Sequence, residues 1–154
     1  MDLFQVAALG FVRSPRTAAV DDDWAPVEAV IELDPAAVTV EATRGLAEFS
    51  HLEVLFLFHL VDEAKVERGA RHPRGNRSWP EAGVLAQRNK DRPNRLGVTT
   101  CELVAVTGLT VTVCGLDAVE GTPVLDLKPY FAEFAPRSEV RQPAWSHELM
   151  ATYW

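Results

Sequence analysis

The sequence predicts a mainly β protein, a closed or nearly closed β-barrel with short peripheral helices. Three observations carry that expectation. Val, Leu, Phe and Thr gather in many short runs instead of long helical periods. Proline, glycine and Asx turn signals separate those runs at close spacing. The 154 residues are the length of one ordinary domain, able to bury roughly two-thirds of its unfolded surface. Many short strands around one core are best accommodated by closure, which removes sheet edges.

Taken in order, the predicted strands are FQVAALGFVRS at 4–14, VEAVIEL at 27–33, HLEVLFLFHLV at 51–61, AGVLAQR at 82–88, LGVTTCELVAV at 96–106, LTVTVCG at 109–115 and VLDLK at 124–128. Ser14-Pro15, Asp34-Pro35, Pro73 to Gly75, Arg92-Pro93-Asn94, Gly108, Gly115 and Gly121-Thr122-Pro123 punctuate them. Helical expectation is confined to a turn or two in EATRGLAEF at 41–49, where Leu46 and Phe49 share a face, and to a short helix from about Ala144. Tyr153 and Trp154 need a surface to cover them: an oligomer contact is one candidate, and docking on the chain's own barrel is the simpler one. A hairpin turning at Gly108 sets Cys114 opposite Glu102 and puts the two thiols on opposite faces, so Cys101 and Cys114 read as reduced, buried thiols. No apolar run approaches the ~18 residues a membrane helix requires, and MDLFQVAALG has no basic leader. A cytoplasmic protein without membrane contact is expected.

Net charge is −7, which argues against generic nucleic-acid binding. The distribution is uneven. Positions 65–95 hold nine of the fifteen basic residues against Glu67, Glu81 and Asp91, which makes a local surface for phosphate or carboxylate plausible. No dinucleotide glycine motif, P-loop, nucleophile elbow or HExxH is present, and the cysteines lack metal-ligand spacing. No metal is expected.

Three stretches hold candidate chemistry. His59 ends the apolar FLFH run, where strand ends open into sites. In GLDAVEGTPVLDLKPY, Gly121 and Thr122-Pro123 make a turn, and alternation sets Val124, Asp126, Lys128 and Tyr130 on one face. That row is either an exposed salt-bridge ladder or, facing a cleft, a polar binding surface with a proton acceptor. In QRNKDRPNRLG, Pro93 holds Arg92 extended, and Asn94 and Gly97 tolerate positive φ. Arg88 and Arg92 are thereby pointed in fixed directions, as carboxylate or phosphate recognition requires.

GFVRSP at 10–15, TRGLAEFSHLEVLFLFH at 43–59, HPRGN at 72–76, GVLAQRNKDRPNRLGVTTCEL at 83–103 and GLDAVEGTPVLDLKPY at 115–130 resemble the TsaA/TrmO-like family. The resemblance covers roughly 4–131 in the same order. It implies a small single-sheet β-barrel that dimerises and an S-adenosylmethionine-dependent methyltransferase, its acceptor N6 of threonylcarbamoyladenosine in tRNA. By motif, the cofactor falls to Asp23, Trp24, Ala25, His59, Leu60, Arg88, Val98, Glu120, Gly121, Thr122 and Pro123. Asp126 or Tyr130 would accept or relay the acceptor proton. Arg74, Arg92, Asn94 and Lys128 would meet the acceptor. Many members read RSPFRPNPIG where this chain reads RNKDRPNRLG, and longer bacterial members add a C-terminal domain where about two dozen residues follow KPY here. A single barrel domain over 1–154, with no extra C-terminal domain, is therefore expected. The same departures keep two alternatives open: methylation of a small metabolite, and a non-catalytic S-adenosylmethionine-binding module.

Overall fold

A computed structural model describes residues 1–154. Strands β1 (Gly10–Arg13), β2 (Glu28–Leu33), β3 (His51–Leu57), β4 (Ala70–Arg71), β5 (Ala82–Gly83), β6 (Leu96–Thr107), β7 (Thr110–Cys114) and β8 (Pro123–Pro129) follow one another along the chain. Six of them close an antiparallel barrel in the order β1-β2-β7-β6-β3-β8, while β4 and β5 form a separate two-stranded ribbon. Alternation fills the interior. Ala29, Ile31 and Leu33 of β2 point in, as do Leu52, Val54 and Phe56 of β3, and they pack with Val12, Val111, Val113 and Val124 in one core. Gly97 admits the Phe56 ring, because a Cβ there would lie 2.5 Å from it.

Several elements differ from expectation. The first strand is only Gly10–Arg13, and Leu3, Phe4 and Val6 are exposed and unpaired with any strand. AGVLAQR holds just the two residues of β5 and then a 3₁₀ turn at Val84–Ala86. The reason lies in Gln87, whose buried amide donates to Arg71 O (2.9 Å) and Ala82 O (2.7 Å) and so takes the place of further strand pairing. EATRGLAEF makes two 3₁₀ turns, Val40–Thr43 and Leu46–Glu48, split at Gly45 where φ is +84°. Helix α1 runs Ala144–Leu149.

The row on β8 is also corrected. Leu55 pairs with Asp126 but Phe56 pairs with Val124, so Leu125 sits in a bulge and the alternation slips there. Val124 is wholly buried, whereas Asp126 and Lys128 are turned outward and joined at 2.5 Å. The hairpin register sets Glu102 opposite Cys114 as read from the sequence. Both thiols are free, Cys101 buried and Cys114 half-buried. Burial pushes the Cys101 thiol up to about 12, so it stays protonated and inert.

Candidate active site

One end of the barrel, where β3 ends and β6 begins, opens into a cleft of about 1700 Å³. Its base is barrel: Phe56, Gly97 and Thr99. Its walls are the stretch after β3, the loop joining β5 to β6, residues 117–119 with Thr122, and the segment containing α1. The cleft therefore draws together sequence motifs that lie far apart in the chain.

The basic loop is rigid and follows the path its proline dictates. Asn94 takes φ +64° and Arg95 φ +52°, while Gly97 stays on the negative side and is required for its closeness to Phe56 instead. Arg92 donates to Gln87 O at 2.8 Å, Arg88 to Val98 O at 2.8 Å and Arg95 to Val61 O at 2.8 Å. Asp91 is pinned between Arg71 (3.0 Å) and Lys90 (2.6 Å). Burial opposes ionisation of Asp91, but those two cations outweigh it and hold the carboxyl below its usual range. Arg88 and Arg92 form no ion pair, so their charges remain available to a ligand.

Arg74, proposed from sequence to meet the acceptor, also borders the cleft with φ +50°. Its guanidinium is already engaged: Nη2 and Nη1 reach the two oxygens of Asp22 at 2.8 and 3.2 Å. This forked pair ties the 72–81 loop to the 20–24 segment, which makes Arg74 a structural clamp. Trp24 is buried beside it, its indole N–H donating to Val20 O at 3.1 Å and its ring covered by the Arg16 guanidinium at 4.4 Å. Asp23 adopts φ +62°, and Asp23 and Trp24 donate their backbone N–H groups to Thr152 O and Tyr153 O, both at 2.9 Å. The aromatic pair at 153–154 thus docks on the chain itself.

On the opposite wall His59 lies just beyond β3, and a Cβ on Gly121 would come within 3.8 Å of its Nε2. Gly121 has φ +75°, a left-handed conformation that the turn requires and glycine adopts without strain. Burial holds the His59 ring below its ordinary value, and it stays neutral with one ring nitrogen able to accept. Leu60, Val98 and Thr122 also line the cleft, as does Asn94. Other nominated residues do not. Glu120 turns back to Ser14 N (2.7 Å) and Arg13 (3.1 Å), Pro123 opens β8, and Ala25 takes the Cys114 thiol on its carbonyl. Asp126, Lys128 and Tyr130 lie outside the cleft because β8 carries them along the barrel wall, with Asp126 and Lys128 opposite Leu55 and Glu53.

Sequence reasoning missed Asp117. Its carboxylate takes one hydroxyl on each oxygen, from Thr99 and from Tyr153, and faces the cleft. It stood in the quoted GLDAVEGTPVLD stretch, but the partner that marks it lies 36 residues away. It also missed Asn89, whose buried Oδ1 has no hydrogen-bond partner and which borders the cleft.

Comparison with known proteins bears on this geometry. Residues 13–135 match the family described as the tRNA-methyltransferase O N-terminal domain. A probable S-adenosyl-L-methionine-binding protein of Methanothermobacter thermautotrophicus is 36% identical over 133 residues, 84% of this chain and 91% of that protein. The Escherichia coli tRNA (adenine(37)-N6)-methyltransferase is 37% identical over 149 residues, 88% of this chain and 62% of that enzyme. The human enzyme of the same name is 38% identical over 99 residues, of which this chain spans only 22%. A crystal structure of TrmO from Pseudomonas aeruginosa superposes with a TM-score of 0.73 at 30% identity, covering 91% of this chain and 62% of that one. By its barrel, its motif order and this match over most of its length, the chain belongs to the tRNA-methyltransferase O N-terminal domain family.

Proposed function

We propose that this chain is an S-adenosylmethionine-dependent methyltransferase whose acceptor is N6 of threonylcarbamoyladenosine in tRNA, working as a cytoplasmic homodimer. The observation that carries the reading is the family's barrel with a cleft at one end that Arg88 and His59 both line. The cleft residues fit the cofactor chemically. The orphaned Asn89 Oδ1 is a buried polar atom awaiting a partner, and the unpaired Arg88 can take a carboxylate. Thr122, 2% exposed, adds a buried hydroxyl to the wall, and the Gly121 backbone beside His59 lacks the side chain that would fill the space.

When bound, the cofactor supplies an electrophilic sulfonium methyl. The chain's own contribution is positioning: holding donor and acceptor in line supplies much of the rate in such a displacement. Neutral His59 offers an acceptor nitrogen inside the cleft without adding a positive charge. Arg92 extends the cationic rim toward an anionic acceptor.

The test is incubation with methyl-labelled S-adenosylmethionine and either bulk tRNA or a metabolite extract. Label in tRNA supports the reading, and label only in small molecules replaces it with metabolite methylation. A second reading, a binding module without transfer, is favoured by the full-length likeness to the Methanothermobacter protein and requires label in neither. If tRNA is the partner, Arg92→Ala lowers the slope of log affinity against log salt by about 1. Arg74→Ala has a smaller effect on that slope, because Asp22 already neutralises its charge.

A further inference from the structure

Within the cleft an anion and a cation are anchored on consecutive residues of β6 and yet do not pair. Arg88 is fastened to the carbonyl of Val98 at 2.8 Å. Asp117 accepts the hydroxyl of Thr99, the next residue, on one oxygen and the Tyr153 phenol on the other. No ion pair within 4.0 Å joins Asp117 to Arg88 or to any other cation. The buried carboxylate at the cleft, Asp91, is by contrast neutralised twice over, by Arg71 and Lys90.

Hydroxyl donors orient a carboxylate without cancelling its charge. Asp117 is therefore held in place with lone pairs still open to a stronger donor, and Arg88 is held in place with N–H groups open to an acceptor. Two opposite charges anchored to neighbouring residues of β6 and not paired with each other complement a ligand group that carries both on one carbon. That group is the zwitterionic head of an α-amino acid.

We propose that Asp117 and Arg88 form an α-amino-acid clasp, Asp117 receiving the ammonium and Arg88 the carboxylate, and that Tyr153 is the positioning residue that fixes Asp117. This rests on the reading of the cleft as a site for S-adenosylmethionine, whose methionyl end is such a zwitterion. Tyr153 suits the part. Its backbone oxygen takes the Trp24 N–H and its ring stacks edge-on against Trp154 at 4.9 Å, so the phenol arrives on a fixed backbone. Burial and the adjacent Asp117 charge push its pKa up, and it remains a donor across the working pH range. This segment, with Trp145, Met150 and Tyr153, lines the cleft of about 1700 Å³ and so walls the site.

Calorimetry with three ligands tests the clasp: S-adenosylmethionine, S-adenosylhomocysteine, and methylthioadenosine, which keeps the nucleoside and lacks the amino acid. Asp117→Asn should weaken the first two by about 10- to 100-fold, the range for a charge-assisted bond, and leave methylthioadenosine within about twofold. Tyr153→Phe should produce the same split at about 3- to 10-fold, which a merely structural loss would not, since that weakens all three together. If Asp117→Asn does not fold, Tyr153→Phe and Arg88→Gln decide by the same split. Equal weakening of all three ligands, or none, overturns the clasp while leaving the cofactor reading intact. Wild-type protein that binds none of the three overturns both.

Discussion

Two polar stretches stand out in this chain, the loop Gln87–Gly97 and the outward row of β8, and they meet opposite fates. The loop is held by its own backbone carbonyls, by a doubly paired Asp91 and by Asn94 in the left-handed region, and it walls the cleft. The row on β8 is an ion pair of Asp126 with Lys128 on the barrel's outer surface. What separates them is the end of the barrel each reaches and the phase of one bulge, because Leu125 turns every later residue of β8 to the opposite face from the one simple alternation assigns.

The comparison can be broken most severely at Gly97. An added Cβ there drives into the Phe56 ring at 2.5 Å, so Gly97→Ala should cost about 2–3 kcal/mol, measured by denaturant unfolding. Next comes Asp91→Asn, expected to cost about 1–2 kcal/mol by chemical denaturation near neutral pH; both cation partners are partly exposed, which discounts the loss. Its pH dependence has a definite sign. The folded carboxyl is depressed, so its contribution is complete above the ordinary aspartate value of about 3.9 and is lost as pH falls through the lower folded value. The stability gap between wild type and Asp91→Asn should therefore stay constant from pH 7 to about 5 and close below about 4. Smallest is Asp126→Ala, an exposed pair, which should change stability by less than about 0.5 kcal/mol in the same measurement.

Much of the barrel was legible in sequence because its interior obeys period two. Glu28–Leu33, His51–Leu57 and the first half of β6 alternate between core and outside, a bulge at Val104 ends that alternation, and Gly108 turns the hairpin that joins β6 to β7. Legibility failed where one long-range bond replaces a local pattern. Gln87 satisfies two carbonyls and ends β5 after two residues, and Arg74, expected to meet the acceptor, is matched by Asp22 from 52 positions away. The loop carrying Arg88 and Arg92 could be singled out by composition and by its proline. Asp117 could not, since nothing local distinguishes it: its meaning comes from Thr99 and Tyr153, brought to it by closure of the barrel and by docking of the segment after α1.

The location of the ligand is open to one direct measurement, amide chemical shifts of the isotope-labelled full chain during titration with S-adenosylmethionine. The expected result is perturbation of the cleft, at Val98, Thr99, Asp117, Gly121 and Thr122, with the outward row undisturbed. Perturbation centred on Glu53, Asp126 and Lys128 with the cleft amides unmoved would contradict it and place the site on the outer face of β8.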